Sequence, residues 1–286
     1  MTACPLSLAA ETFPQIPAIV FGPRTITYGQ LDQYVGASVK YLKKIGLQPG
    51  ERVAIVDHNT SEYVILLLAL WRFGATACLL NPHAPEDFLN ESLTKLKASL
   101  LLTSVKNVLA SPKIRIRRFR LDEMINFDIR DVPLSRTHSL SLEQEATLLL
   151  TSGSQGEPKP ALHTYGNHHW SALGANAAVP IGKSDRWLLS LPLYHVSGLG
   201  ILFRTLLSGA GAALVIPGEE DLPSDIVKYG ITHISLVATQ LYRILQHAPA
   251  GKRSAQGRFD QPVPGVMAPR LAGLAGYEDP DRLPEI

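Results

Sequence analysis

The stretch from residue 148 to 168, LLLTSGSQGEPKPALHTYGNH, carries the residue types of an anion cradle. An apolar run breaks into Thr151, Ser152 and Ser154, spaced by Gly153 and Gly156 and followed by Lys159. Small side chains leave backbone N–H groups bare, hydroxyls add donors, and an ammonium adds charge, so the set can hold polyphosphate oxygens. The alternative is an ordinary Ser/Gly-rich turn. The common P-loop is not present here, because GxxxxGK[ST] fits GSQGEPK in no register, and the chain has no GxGxxG fingerprint. A second candidate is His195 in LPLYHVSG, although a histidine after an apolar run is also a packing or capping residue. His163, His168 and His169 fall on an expected helix after the loop. They have no His, Cys or carboxylate partners at ligand spacing and read as surface or packing residues.

These residues need elements to hold them. Thr27 can cap an amphipathic helix over TYGQLDQYVGASVKYLKK. RVAIVD (52–57) reads as a buried strand, SEYVILLLALWRFG (61–74) as a buried helix stopped by Gly74, and ATACLLN (75–81) as the next strand. PEDFLNESLTKLKA and SLLLTS repeat the helix–strand order, a basic stretch at 113–120 blurs it, and EATLLLTSG restores it as a strand running into the Ser/Gly loop. The alternation continues through DRWLLSLP, GLGILFRTLLSG, GAALVIP, DLPSDIVKYG, THISLVA and TQLYRILQ. This is the grammar of an α/β fold with largely parallel sheets flanked by helices, in which ligands sit at the carboxyl ends of the strands. After Gln246 the chain becomes rich in Pro and Gly with no sustained period, so residues 247–286 are expected to be irregular.

Composition bounds the function. The 286 residues, 45% of them hydrophobic, can bury a sizeable core. A formal charge of +2 with both signs scattered gives no basic face for nucleic acid. Cys4 and Cys78 form no CxxC or Cys/His cluster, which favours a reducing cytoplasm over a disulfide or zinc framework. YVILLLALW is too short to span a bilayer, and no membrane role is expected.

LLLTSGSQGEPK resembles the phosphate-loop signature of the AMP-forming acyl-CoA synthetases and other adenylate-forming enzymes, whose usual form is Ser/Thr-Ser-Gly-Ser/Thr-Thr-Gly-x-Pro-Lys. RTITYGQLDQYV, GERVAIVDHNTSEYVILLLALWRFGATACLLNP, WLLSLPLYHVSG and HISLVATQLYRIL resemble the flanking segments of that family, so the resemblance covers about residues 12–246. LLSLPLYHVSGLGILFRTLLSGA with SLVATQLYRIL is most similar to the o-succinylbenzoate-CoA ligase subgroup. The resemblance implies a small carboxylic acid as substrate, with o-succinylbenzoate foremost, and ATP, Mg²⁺ and CoA as co-reactants. It places Thr151, Ser152, Gly153, Ser154, Gln155, Gly156 and Lys159 around the nucleotide phosphates, and His195 at the wall of the acyl pocket as the catalytic candidate. Thr239 and Gln240 line the same pocket by resemblance; taken alone, they read equally as a helix N-cap.

Three positions depart from the pattern. Gln155 is longer than the usual hydroxyl residue, Pro160 removes a backbone donor, and Ala238 stands where the subgroup has proline. The family's adenine strand-loop, its Mg²⁺-binding Glu and its C-terminal Lys are not seen after Leu245. The expectation is therefore a truncated large N-terminal AMP-binding domain over 1–246 with a tail foreign to the family, weak or inactive as a ligase. The alternatives are a non-catalytic remnant that binds nucleotide or acid, or another acyl-CoA synthetase.

Overall fold

The structure, a computed structural model, describes residues 1–126, 128–135, 139–151, 158–215 and 222–236. The first part comprises β1 (Thr2–Ala3), α1 (Pro5–Thr12), β2 (Pro17–Phe21), β3 (Arg24–Thr27), α2 (Tyr28–Lys44), β4 (Arg52–Val56), α3 (Ser61–Phe73) and β5 (Thr76–Leu80). It continues with α4 (Glu86–Lys95), β6 (Leu100–Leu102), α5 (Lys106–Ala110), β7 (Arg117–Phe119), a 3₁₀ turn at Glu123–Ile125, β8 (Ser139–Leu140) and β9 (Glu145–Thr151). β10 (Lys159–Thr164), α6 (Tyr165–Ala178), β11 (Arg186–Leu189), α7 (Val196–Ser208), β12 (Gly211–Leu214), α8 (Leu222–Lys228) and β13 (His233–Ile234) complete it.

Local chemistry sets these boundaries. Thr27 Oγ1 accepts the Gln30 N–H while Gln30 Oε1 accepts the Thr27 N–H, a reciprocal cap that starts α2. Thr60 Oγ1 accepts the Tyr63 N–H and starts α3, which ends at Gly74 with φ 87°, a conformation that costs glycine nothing. The same left-handed position after α4 is held by Lys97 at φ 54°. Lys97→Gly is expected to raise stability by about 0.5 kcal/mol, the left-handed penalty less the extra freedom of glycine when unfolded. Equilibrium urea unfolding reads it, and a loss of stability would contradict it.

Two larger sheets result, a six-stranded one in the order β10-β9-β5-β4-β6-β7 and a five-stranded one in the order β13-β11-β12-β2-β3. Pairing is parallel except at β9–β10 and β2–β3. The basic stretch that blurs the sequence pattern contains the edge strand β7, with Arg118 donating to the Val108 and Ser111 carbonyls.

Alternate side chains of each strand point to opposite faces, and this assigns the layers. Val53 and Ile55 of β4 share a core with Leu66 and Trp71 of α3, Leu31 and Val35 of α2, Phe203 of α7, and Ile19 and Leu189 of the other sheet. Ala54 and Val56 instead face Leu89 and Leu93 of α4 and Val108 of α5. α2, α3 and α7 thus lie between the two sheets, and α3, buried along most of its length, is the central one. At 13 residues it is a core helix, and no helix among the described residues is long and apolar enough to cross a membrane.

Candidate functional site

Because β4, β5, β6 and β9 run parallel, their carboxyl ends meet on one edge of the six-stranded sheet. That edge gathers Asp57, His58 and Asn59 after β4, His83 after β5, Ser104 after β6, and Thr151 at the end of β9. Thr151 and Lys159 are direct antiparallel partners, and Thr151 Oγ1 donates to the Lys159 carbonyl at 3.1 Å. The facing ends of β9 and β10 are therefore tied to each other. Cross-strand partners project to the same face of a sheet, so the Thr151 hydroxyl and the exposed Lys159 ammonium stand on one side of it. Lys95 of α4 reaches the far end of the connection and donates to the Pro158 carbonyl at 2.8 Å.

Ser152, Gly153, Ser154, Gln155 and Gly156 lie outside the described residues, as do Thr239, Gln240, Ala238 and the 247–286 segment. Pro160 falls in β10 rather than in the connection, paired opposite Leu150. β10 is an edge strand, where a residue without an N–H is tolerated. His163 also lies in β10, which corrects its expected place on a helix: the chain pairs back along β9 before α6 begins at Tyr165.

The packing reading of His168 and His169 agrees with their burial. His168 Nε2 hydrogen-bonds Thr147 Oγ1 at 2.8 Å, and its ring stacks on Phe203 at 4.8 Å. Burial, and then the neighbouring His163, push the His168 pKa down from 6.5 to about 4. Between those values the unfolded chain takes up a proton that the folded one refuses. Stability is thus whole above about pH 6.5 and falls toward pH 4, by about 3 kcal/mol for this group. His168→Gln should flatten the slope of stability against pH in that window, and an unchanged slope would contradict the assignment.

His195 occupies the N-cap of α7 and is exposed, its ring 4.7 Å from that of Tyr194. The turn before it is tight. The His195 N–H donates to the Pro192 carbonyl, and a Cβ on Gly198 would stand 2.2 Å from that same oxygen, so the first turn of α7 seats only on glycine. The sequence reading missed Asn59, whose side-chain amide hydrogen-bonds Leu191 and Leu193 in this turn. It also missed Asp57, which is buried and accepts the His58 and Ser104 N–H groups. Burial pushes the Asp57 carboxyl above its ordinary value against the pull of those two donors. The signal was the Asp-His-Asn run between the end of a strand and the Thr60 cap, polar residues placed where an α/β sheet binds its ligands.

Among the described residues no group of three or more His, Cys, Asp or Glu side chains could hold a metal ion. The described ends of the loop carry a hydroxyl, Thr151, and an ammonium, Lys159, at a sheet's carboxyl edge.

The AMP-binding enzyme family profile matches residues 6–273, and the chain belongs to that family. The match runs beyond Gln246. Within the family, the chain is 31% identical over 260 residues to the 2-succinylbenzoate–CoA ligase of Enterococcus faecalis, covering 87% of this chain and 51% of the relative. It is 34% identical over 201 residues to that of Escherichia coli, covering 70% and 41%. Its fold is similar to that of the Bacillus subtilis o-succinylbenzoate CoA synthetase bound to the acyl-adenylate intermediate OSB-AMP, with TM-score 0.77 and 27% identity over 86% of this chain and 64% of that one. The chain spans about half the length of the curated relatives it matches.

Proposed function

We propose that this chain forms the phosphate-gripping and acid-binding part of a carboxylate-activating acid–CoA ligase, with o-succinylbenzoate as the acid. In that reaction a carboxylate oxygen attacks the α-phosphorus of ATP and pyrophosphate leaves. CoA thiolate then attacks the acyl carbonyl and AMP leaves. The observation that carries the reading is the pairing of Thr151 with Lys159 at the carboxyl edge of the sheet, on either side of the Ser/Gly sequence, in a member of the AMP-binding family.

Each residue's task follows from charge. The loop amides and hydroxyls hold the β- and γ-phosphates, and the Lys159 ammonium offsets charge that builds on the leaving pyrophosphate. Mg²⁺ arrives with the nucleotide; the described residues offer it no side-chain cluster. His195, at the N-cap of α7, borders the acid, and Thr239 and Gln240 complete that wall. The likeness to succinylbenzoate ligases in sequence and fold supports this choice of acid over other carboxylates.

Calorimetric titration with o-succinylbenzoate, benzoate and a fatty acid, each with and without ATP, tests the reading. Binding is expected for o-succinylbenzoate at least tenfold more tightly than for the others, and His195→Ala should remove most of that preference. Equal affinity for all three acids would contradict it. A non-catalytic binding remnant is the second reading, favoured by the departure at Gln155, and it would show binding without turnover.

A further inference from the structure

We infer that Asn59 is a positioning residue that sets the acid-binding wall at His195 against the nucleotide edge of the neighbouring sheet. The inference rests on the proposed function for what the wall binds, but its geometry stands apart from it. Asn59 lies between two pinned points. On one side the Asp57 carboxylate accepts the His58 and Ser104 N–H groups, and on the other Thr60 caps α3. The turn at the end of β4 is thus held from both directions, and the Asn59 side chain leaves it in a fixed place.

That side chain spans to the other sheet. Asn59 Nδ2 donates to the Leu191 carbonyl at 2.9 Å and, more loosely, to the Leu189 carbonyl at 3.4 Å, while Oδ1 accepts the Leu193 N–H at 2.9 Å. Leu189 is the last residue of β11, and Leu193 is fully buried two residues before His195. One amide therefore ties the carboxyl end of β4 in the six-stranded sheet to the carboxyl end of β11 in the five-stranded sheet. An amide suits the task because it presents a donor and an acceptor side by side, matching the alternating carbonyl and N–H of a turn. Aspartate would keep the acceptor for Leu193 and set a charged oxygen against two carbonyls; alanine would leave all three backbone groups without this partner. Among the described residues Asn59 makes no hydrogen bond to β9 or β10, the strands on either side of the phosphate connection, so the two substrates should respond differently.

The test uses the full chain with Asn59→Ala and Asn59→Asp, and reads three quantities. Affinity for o-succinylbenzoate should fall at least tenfold in both variants while affinity for ATP stays within twofold of the parent. The His195 imidazole proton resonance, assigned by its disappearance in His195→Gln, should move in both. Urea unfolding identifies whichever variant is folded, and Asn59→Asp, which keeps one bond, serves where alanine does not fold. An unmoved His195 resonance in a folded variant overturns the inference, and so does an equal loss of affinity for ATP and the acid. Should the parent bind no o-succinylbenzoate, the proposed acid fails, whereas a shifted His195 resonance still supports the positioning role.

Discussion

Lys159→Ala is expected to fold like the parent and to lose at least about half of the stabilisation that ATP or pyrophosphate confers. In the parent, a ligand at 100 times its dissociation constant adds about 2.7 kcal/mol to the unfolding free energy. For a chain of this size that corresponds to a rise in Tm of roughly 5–10 °C. Lys159 is exposed at the base of the connection, where its removal should change the unliganded stability by less than about 0.5 kcal/mol. Its ammonium contributes charge-assisted bonds to phosphate, which are worth about 1.5–3 kcal/mol each. Losing them weakens binding by roughly ten- to a hundredfold and removes between about half and most of the shift at the same nucleotide concentration. Gln155→Thr should act in the opposite direction by restoring the short hydroxyl of the family pattern. Scanning calorimetry at millimolar ATP reads all three proteins, and an undiminished shift in Lys159→Ala would remove the residue from the phosphate site.

Arg72→Met should cost about 3–5 kcal/mol, because it leaves the Asp32 carboxylate charged and buried without its cation. Asp32 has no exposed surface. It accepts Arg72 Nη2 at 2.6 Å and the Ser135 N–H at 2.6 Å, and Arg72 also donates to Ser7 Oγ and Ser135 Oγ. The pair joins α2 to α3 and fastens the segment at Ser135 onto both. Against a typical net stability of about 5–15 kcal/mol, that loss brings the chain close to unfolding. Asp32→Leu combined with Arg72→Met should recover part of it, since two apolar groups no longer leave a charge stranded. Urea midpoints measure the series, and a cost below 1 kcal/mol for the single change would contradict the account.

The elements that sequence declared were those whose pattern is local. Thr27 announces a helix because a cap acts over three residues, and Gly74 ends α3 because only glycine takes φ 87° without cost. The alternating faces of RVAIV are legible because both neighbours of a buried strand are apolar. The departures were long-range. β7 was hidden in a basic stretch because an edge strand needs little apolar sequence once Leu100–Leu102 supplies the ladder. His163 was placed on a helix because nothing in PKPALHT declares pairing; β9, already laid down, provides the template. Asn59 was passed over because its partners lie about 130 residues away, and no spacing rule connects a turn after β4 with a turn after β11. Of the candidate site, Thr151 and His195 are found at the ends of elements that the sequence reading assigned, whereas Lys159 begins β10, which it did not assign, and is joined to Thr151 by a hydrogen bond.

The proposed grip on ATP serves the activation of a carboxylate. Its most direct test is ATP–pyrophosphate exchange driven by o-succinylbenzoate, measured on the chain alone and on the chain joined to the C-terminal half of the Enterococcus faecalis relative. The joined protein should exchange pyrophosphate only when the acid is present, with Lys159→Ala lowering the rate by on the order of a hundredfold, as the loss of a preorganised charge-stabilising group does. The chain alone should exchange far more slowly. A folded, ATP-binding joined protein that shows no acid-dependent exchange, or one whose exchange is indifferent to Lys159→Ala, would contradict the claim.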